Sequence, residues 1–360
     1  APGSWSVADD AIGVLVSAVK VNNDELLAQA AAASLGHVAA SAPKWRLCMR
    51  GALNDLRGRM RAPTEREDSM KHQKNLFWAC AAIAGLPAMV EEMNRQPNSV
   101  NVQDAALCAI VDILHGHADG ETMTEDGEVC TELQQVPETI GVVAQAMRLH
   151  RTHIDIQWSG SHALGQLCDL LPVGQEVPTE AVESILTAIR RHPNEYRVAS
   201  STCSALRAFL VPRHGREGTS AVGQTVSTLR ARDVGSLMRR VLEDYPATTD
   251  KILLEDILYV MGLVEGPQAV LQSLAATTAS QVLMRCAGLK ALVELRRAFV
   301  DFFPLSQLGE LHAFVTALAA EAAAPSDAGR DGDLDEDNAE ILRHAEILRG
   351  LVGCIETRTP

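Results

Sequence analysis

Aromatic side chains are scarce in this chain, 4% of 360 residues against 47% hydrophobic overall. A core of that composition is filled by Ala, Leu, Val and Ile, the residues of closely packed helices. Long β-branched runs with period-2 alternation are missing too, which removes the signal for half-buried strands. No CxxC pair occurs among the eight Cys, and several, such as Cys108 and Cys203, fall beside core positions of predicted helices. That pattern fits buried reduced thiols rather than a disulfide framework or a zinc site. No apolar run reaches the length of a bilayer span; the longest, "ACAAIAGLPAMV" at residues 79–90, is short and contains a Pro. Phosphate loops, GxSxG elbows, HExxH and dinucleotide fingerprints are absent, so catalysis has no visible residues to run on. The expectation is a non-catalytic protein with no cofactor and no metal.

Basic charge is also in deficit. Forty-six acidic side chains outnumber 32 basic ones for a formal charge of −14, which repels a phosphate backbone unless the basic groups gather on one face. The Arg pairs Arg190, Arg191, Arg239 and Arg240 sit at the ends of predicted helices, where the helix dipole accounts for them. Nucleic acid is therefore a poor partner and other proteins are the better one. Reduced thiols point to an intracellular, reducing compartment, the cytoplasm first and an organelle after transit-peptide removal second. Ala1 in place of Met is equally compatible with Met removal, a cleaved targeting peptide and an artificial boundary.

What the chain does have is length and repetition. A length of 360 residues exceeds what one compact core usually reaches, leaving two or three domains or an elongated repeat array. Four segments share a pattern: "ELLAQAAAASLGHVA" from Glu25, "VNVQDAALCAIVDIL" from Val100, "IDIQWSGSHALGQLC" from Ile154 and "EYRVASSTCSALRAFL" from Glu195. Anchored on Leu35, Ile110, Leu164 and Leu206, and more loosely on Val260 and Leu292, they carry apolar residues eight positions earlier: Leu27, Val102, Ile156, Val198, Ile252 and Met284. Three positions later stand Val38, Ile113, Leu167, Phe209, Leu263 and Leu295. Those offsets keep all three positions on one helical face. The residue before the anchor is small at Ser34, Ala109, Ala163, Ala205 and Ala291, which lets neighbouring helices approach closely; Tyr259 is the exception.

A second apolar segment precedes each such helix: "IGVLVSAVKVNN" from Ile12, "GLPAMVEEMNRQPNS" from Gly85, "IGVVAQAMRLHRTH" from Ile140 and "VESILTAIRRHPN" from Val182. Pro97 and Pro193, each followed by Asn, break the chain between the two helices. The unit is helix, turn, helix. Unequal spacing requires insertions, notably residues 117–129 and 213–220. "PTERED" at Pro63 has Thr64 and Glu67 in capping-box spacing, predicting a helix that runs toward Trp78.

This pattern resembles the armadillo repeat, with residues 81–114 as its best copy, and the resemblance extends over about residues 5–300. It implies an all-α, right-handed superhelical α-solenoid, with residues 1–300 as the array and 301–360 as a C-terminal helical cap containing an acidic loop at about 322–339. It also implies a protein-interaction scaffold or adaptor, a peripheral subunit of a larger assembly; a regulatory subunit of an enzyme and a nucleic-acid-binding solenoid are the alternatives. Armadillo proteins of the importin-alpha type, which bind extended basic peptides, project Trp and Asn from these helices. The corresponding slots here are Ala33 and His37, Cys108 and Asp112, His162 and Gln166, Ser204 and Ala208, Leu258 and Gly262, and Lys290 and Glu294. None is Trp or Asn, so the slots that clamp Lys side chains are missing. Asp112, His162, Gln166, Lys290 and Glu294 remain as candidate polar contacts of a protein-binding groove.

Three other readings fail on register. Asp331, Asp333, Asp335 and Asp337 alternate like calcium ligands, but the EF-hand position that requires Gly holds Glu336 and the one that requires Glu holds Leu342. His115 and His117 near Cys130, and His150 with His153, lack the second local pair that zinc needs. Cys108 lacks a neighbouring base and oxyanion hole in the sequence.

Overall fold

The computed structural model describes residues 4–21, 25–41, 49, 52–60, 69–118, 135–172, 175–211, 219–245, 250–277, 282–298, 305–323 and 332–356. Among the described residues the regular elements are all helices. The chain divides into two compact units, one of residues 1–171 and 178–191, the other of residues 172–177 and 192–360. Residues 301–360 group with the second unit.

The first unit holds α1 (Ser4–Val21), α2 (Glu25–Ser41), α3 (Leu53–Met60), α4 (Ser69–Ala84), α5 (Leu86–Arg95), α6 (Val100–Ala118), α7 (Val136–Leu149), α8 (Ile154–Asp169) and α9 (Thr179–Arg191). Helices α2, α4, α6 and α8 pack in succession, each on the next, while α5, α7 and α9 form a second succession. The second unit holds α10 (Tyr196–Leu210), α11 (Thr219–Ala231), α12 (Val234–Asp244), α13 (Lys251–Glu265), α14 (Pro267–Ala275), α15 (Val282–Ala298), α16 (Leu305–Ala322) and α17 (Gly332–Glu356). There α10, α13, α15 and α17 pack in succession, with α12 and α14 against α13 and α16 against α17.

The repeat anchors explain this packing. Leu35, Ile110, Leu164, Leu206, Val260 and Leu292 are all 0% exposed. The small residues before them, Ala109, Ala163, Ala205 and Ala291, are buried as well, whereas Ser34 is exposed. Burial is what an apolar helical stripe drives, at roughly 25 cal/mol per Å² of apolar surface removed from water. The position eight residues before the anchor holds for Val102, Ile156, Val198 and Met284, and fails for Leu27, 49% exposed, and Ile252, 64% exposed. Both failures fall in the first turn of their helices, where Ala28 and Leu253 take the buried place.

Two junctions require glycine. Gly85 (φ 71) ends α4 and Gly266 (φ 100) ends α13, and each is followed by a helix with Pro in its first turn. A positive φ costs glycine little, and Pro needs no hydrogen bond for its missing N–H there. Gly36 serves a different purpose: a Cβ at this position would overlap the Trp78 ring, so its absence lets α2 approach α4.

The turns are closed by a recurring device. Gln103, fourth residue of α6, donates from Nε2 to Met93 O and Gln96 O, both at 2.9 Å. Gln157, fourth residue of α8, donates likewise to Met147 O at 2.9 Å and His150 O at 3.1 Å. Each amide thus satisfies one carbonyl in the last turn of the preceding helix and adds a second bond to the carbonyl that already closes the turn. Hairpins are also tied to one another: the His150 ring is 2.8 Å from Pro97 O, and in the second unit Tyr245 donates to Pro193 O at 3.1 Å.

Some expectations shift. The last helix begins at Gly332 rather than Ala339, so Asp333, Asp335 and Asp337 belong to a helical backbone and not to an acidic loop. Residues 219–244 form α11 and α12, and Arg239 and Arg240, expected at a helix end, lie in the middle of α12 with no basic residue in its last turn. The predicted helix start at Thr64, Cys130 and most of the expected insertions lie outside the described residues.

Candidate functional site

In the first unit, the slots two positions before and after the anchors Ile110 and Leu164 form one polar row, while His37, in the slot after Leu35, meets the Trp78 ring edge to face. Helix α6 contributes Asp104, Cys108, Asp112 and His115 at spacings of four, four and three, which place them along one face. Helix α8 contributes Ser159, His162 and Gln166, and α4 contributes Lys74. Lys74 Nζ lies 2.8 Å from the buried Asp104 carboxylate. Cys108 Sγ stands 3.9 Å from Asp104 Oδ1 and 3.8 Å from Ser159 Oγ. The rings of His115 and His162 meet edge to face with centroids 4.9 Å apart, and Gln166 Nε2 is 3.4 Å from His162 Nε2.

Electrostatics set the protonation states. Burial, then the charge of Asp104, pushes the Cys108 thiol up against the opposing pull of Lys74. The sulfur stays a protonated thiol at neutral pH, which leaves it a poor nucleophile. Burial and then His115 lower His162, keeping its imidazole neutral at pH 7. Asp112 is exposed on its outer side, yet burial of the remainder raises its carboxyl, with His115 and Lys74 acting in the opposite sense. Gln166 Oε1 is buried without a hydrogen-bond partner among the described residues.

The second unit uses the equivalent positions differently. Lys290 and Glu294 on α15 are both engaged with neighbouring helices: Lys290 pairs with Glu255 of α13 at 2.6 Å, and Glu294 accepts from Arg207 of α10 at 2.5 Å. Arg207 also reaches Asp256 at 2.8 Å and lies over the Tyr259 ring, 5.2 Å from its centroid. Lys251 pairs with Glu340 of α17. Leu258 and Gly262, expected in groove slots, are buried. The whole run from Leu253 to Val264 on α13 is enclosed, Glu255 and Asp256 included. Burial drives the Asp256 carboxyl up to about 6 in spite of the adjacent guanidinium.

The structure therefore brings Asp112, His162 and Gln166 into one row and assigns Lys290 and Glu294 to ion pairs within their own unit. Lys74, Asp104, Arg207, Glu255 and Asp256 were missed in the sequence reading. A signal existed for the last three: two carboxylates inside the apolar run "ILLEDILYVMGLV" require cations on adjacent helices if they are to be buried. The His150 and His153 rings, 6.1 Å apart, form a turn in which His150 contacts Pro97 O, and no cluster of metal-ligating groups occurs among the described residues. Cys80, Cys168, Cys203 and Cys286 are buried. No helix of the described residues is long and apolar enough to cross a membrane.

No protein-family model and no curated protein matches the chain. Among solved structures it is similar to two engineered proteins. One is 12% identical, with 94% of this chain and 97% of that chain covered at a TM-score of 0.32. The other is 15% identical, with 95% and 98% covered at a TM-score of 0.30.

Proposed function

We propose that this chain is a non-catalytic scaffold or adaptor for other proteins, built as a right-handed armadillo-like α-solenoid that α16 and α17 cap, and that it serves as a peripheral subunit of a larger assembly. The successive packing of α2, α4, α6 and α8, and of α10, α13, α15 and α17, supports the repeat reading. The observation that carries the functional reading is the polar row of Asp112, His115, His162 and Gln166. It joins two consecutive helices through a ring contact, stays partly open to solvent, and includes an amide oxygen with no hydrogen bond among the described residues. A buried acceptor left open is costly, and a donor from a bound partner would satisfy it. Nucleic acid fits less well, because Arg239 pairs with Glu265 and Arg240 with Asp244.

The test is a low-salt affinity purification of the wild-type chain and of an Asp112→Ala, His162→Ala, Gln166→Ala variant, with bound proteins quantified by mass spectrometry. A stoichiometric companion on the wild type that disappears from a variant with unchanged helicity supports the proposal. A companion retained by the variant moves the binding face elsewhere, and turnover of a small molecule by a companion-free chain would sink the scaffold reading.

A further inference from the structure

Two imidazoles meet across the seam of α6 and α8, and a glutamine amide faces one of them. His115 is exposed, one residue past the buried Leu114, and His162 is half-buried between the enclosed Ser161 and Ala163. Their ring centroids are 4.9 Å apart at 70°. One turn further along α8, Gln166 sets its amide nitrogen 3.4 Å from His162 Nε2, and its Oε1 is buried without a hydrogen bond among the described residues. An amide N–H only donates, so in this arrangement His162 Nε2 accepts and carries no proton.

A proton on His162 breaks that arrangement. Both ring nitrogens of an imidazolium are donors, so Nε2–H would face the amide N–H. Turning the amide over removes the conflict, because Oε1 then accepts a charge-assisted bond from the ring. The same side chains therefore have two arrangements, one for each protonation state of His162. Imidazoles in contact also titrate as a pair, the second charge entering against the first.

The surroundings set the direction. From α6, Cys108, Asp112 and His115 share one face, and Lys74 of α4 is paired with Asp104 beside them. The charged side chains of α7, Glu138 and Arg148, are exposed, as are Glu180, Arg190 and Arg191 of α9, whose Glu183 is half-buried. On α8 itself Asp155 and Asp169 are exposed at its two ends and Cys168 is buried. Burial first, and the charge of His115 second, hold the His162 imidazole below its ordinary range. A ring released into water takes up a proton more readily than the ring in this contact, so acid favours the rearranged state. The closed arrangement is complete above the ordinary histidine midpoint of about 6.5 and is lost as pH falls through the lower midpoint of the folded state.

We propose that His115, His162 and Gln166 form a proton-sensitive joint between α6 and α8. Near neutral pH the Gln166 amide donates to an uncharged His162 ring set against His115. On acidification His162 takes a proton, the amide turns over, and the rings part once both are charged. The joint stands on these contacts alone; its consequence, that acid alters the face offered to a partner protein, rests on the scaffold reading. The test therefore uses the chain without a partner.

Label the histidines of the full chain with 13C and 15N and titrate it by NMR from about pH 8 to about pH 5, the interval in which imidazoles change charge. At the alkaline end the 15N shifts of His162 are expected to show an unprotonated Nε2, with a proton cross-relaxation signal between the two rings. That signal disappears on acidification, and the His162 midpoint lies below that of a histidine in an unstructured peptide. His115→Phe keeps a flat ring without a charge and raises the His162 midpoint by about half a pH unit. Gln166→Glu, which puts an acceptor in place of the amide, raises it further. A midpoint equal in the wild type and in a folded His115→Phe variant, a ring signal that persists with both rings protonated, or a protonated Nε2 at the alkaline end overturns the proposal. If His115→Phe fails to fold, Gln166→Glu makes the comparison instead, and a His162 midpoint unmoved by that carboxylate is equally fatal.

Discussion

Replacing Gln157 by Met keeps the volume and the helix propensity of the site and removes only the amide. In the native structure this side chain is 1% exposed and its Nε2 bridges Met147 O and His150 O. The two carbonyls are not equivalent. His150 O also accepts from His153 N at 2.9 Å and keeps that bond when the amide is gone, while Met147 O, in the last turn of α7, loses its side-chain donor. One lost bond to a carbonyl that is otherwise satisfied costs about 1 kcal/mol, and one buried carbonyl left open costs about 1–3 kcal/mol. The sum is roughly 2–4 kcal/mol, less a fraction returned by burying the more apolar Met.

The measurement has a natural reporter. All four Trp, at positions 5, 45, 78 and 158, lie in the first unit, and all three Tyr lie in the second. Urea unfolding followed by Trp fluorescence therefore reports the first unit, which matters in a two-unit chain where a single transition is not assured. Gln157→Met should lower the Trp-detected midpoint by an amount equivalent to about 2–4 kcal/mol at unchanged slope. Gln166→Met on the same helix, whose amide among the described residues meets His162 at 3.4 Å, should change it by less than about 1 kcal/mol. Equal small effects from the two substitutions would refute the view that the glutamine secures the turn.

Gln103→Met, which leaves Met93 O open while Gln96 O keeps its bond from Ser99 N, should match Gln157→Met within about 1 kcal/mol in the same assay. Gly36→Ala gains helix propensity yet places a methyl group against Trp78; a loss of about 1–3 kcal/mol with a shifted Trp emission maximum is expected, and stabilisation would show that the α2–α4 approach is loose. Arg207→Met leaves Asp256 and Glu294 without their shared cation and should destabilise the second unit by about 3 kcal/mol, read from Tyr fluorescence during urea unfolding. Asp256 has a folded pKa near 6, above its unfolded value of about 3.9, so the folded state holds its proton more tightly. Its contribution is fully present below about pH 4 and is lost as pH rises through 6. Asp256→Asn should flatten that segment of the stability profile, and an unchanged slope between pH 4 and 6 would assign it to another group.

The helical class and the core were legible because a helix that buries one face must repeat its apolar residues on that face, and six anchors chosen on that ground are all enclosed. Register failed where the reasoning from one face stops applying. Helix α13 is enclosed on every side from Leu253 to Val264, so its stripe has no polar boundary and the slots carried onto Leu258 and Gly262 fall in the core. First-turn residues fail for a related reason: Leu27 and Ile252 have the right spacing, but a helix end can project past its neighbour. The division at residues 171–192 left no mark in composition, since apolar periodicity continues through α9 and α10 alike.

The candidate site was half legible for a reason that bears on how its two sets of residues behave. Spacing alone predicts which positions share a face and says nothing of what the next helix places opposite them. On α6 and α8 the facing positions are His115 and His162, which pair weakly and leave Gln166 Oε1 open, so the row keeps unsatisfied polarity. On α13 and α15 the facing positions carry opposite charges, and Lys290 and Glu294 meet Glu255 and Arg207. Breaking those pairs to admit a partner would leave Glu255 and Asp256 buried without cations, a cost of several kcal/mol that few single contacts return. Admitting a partner at Asp112, His115, His162 and Gln166 leaves the one ion pair described in that row, Lys74 with Asp104, in place. The asymmetry supports the proposed recognition face on α6 and α8 over one on α13 and α15, although both sets come from the same repeat positions.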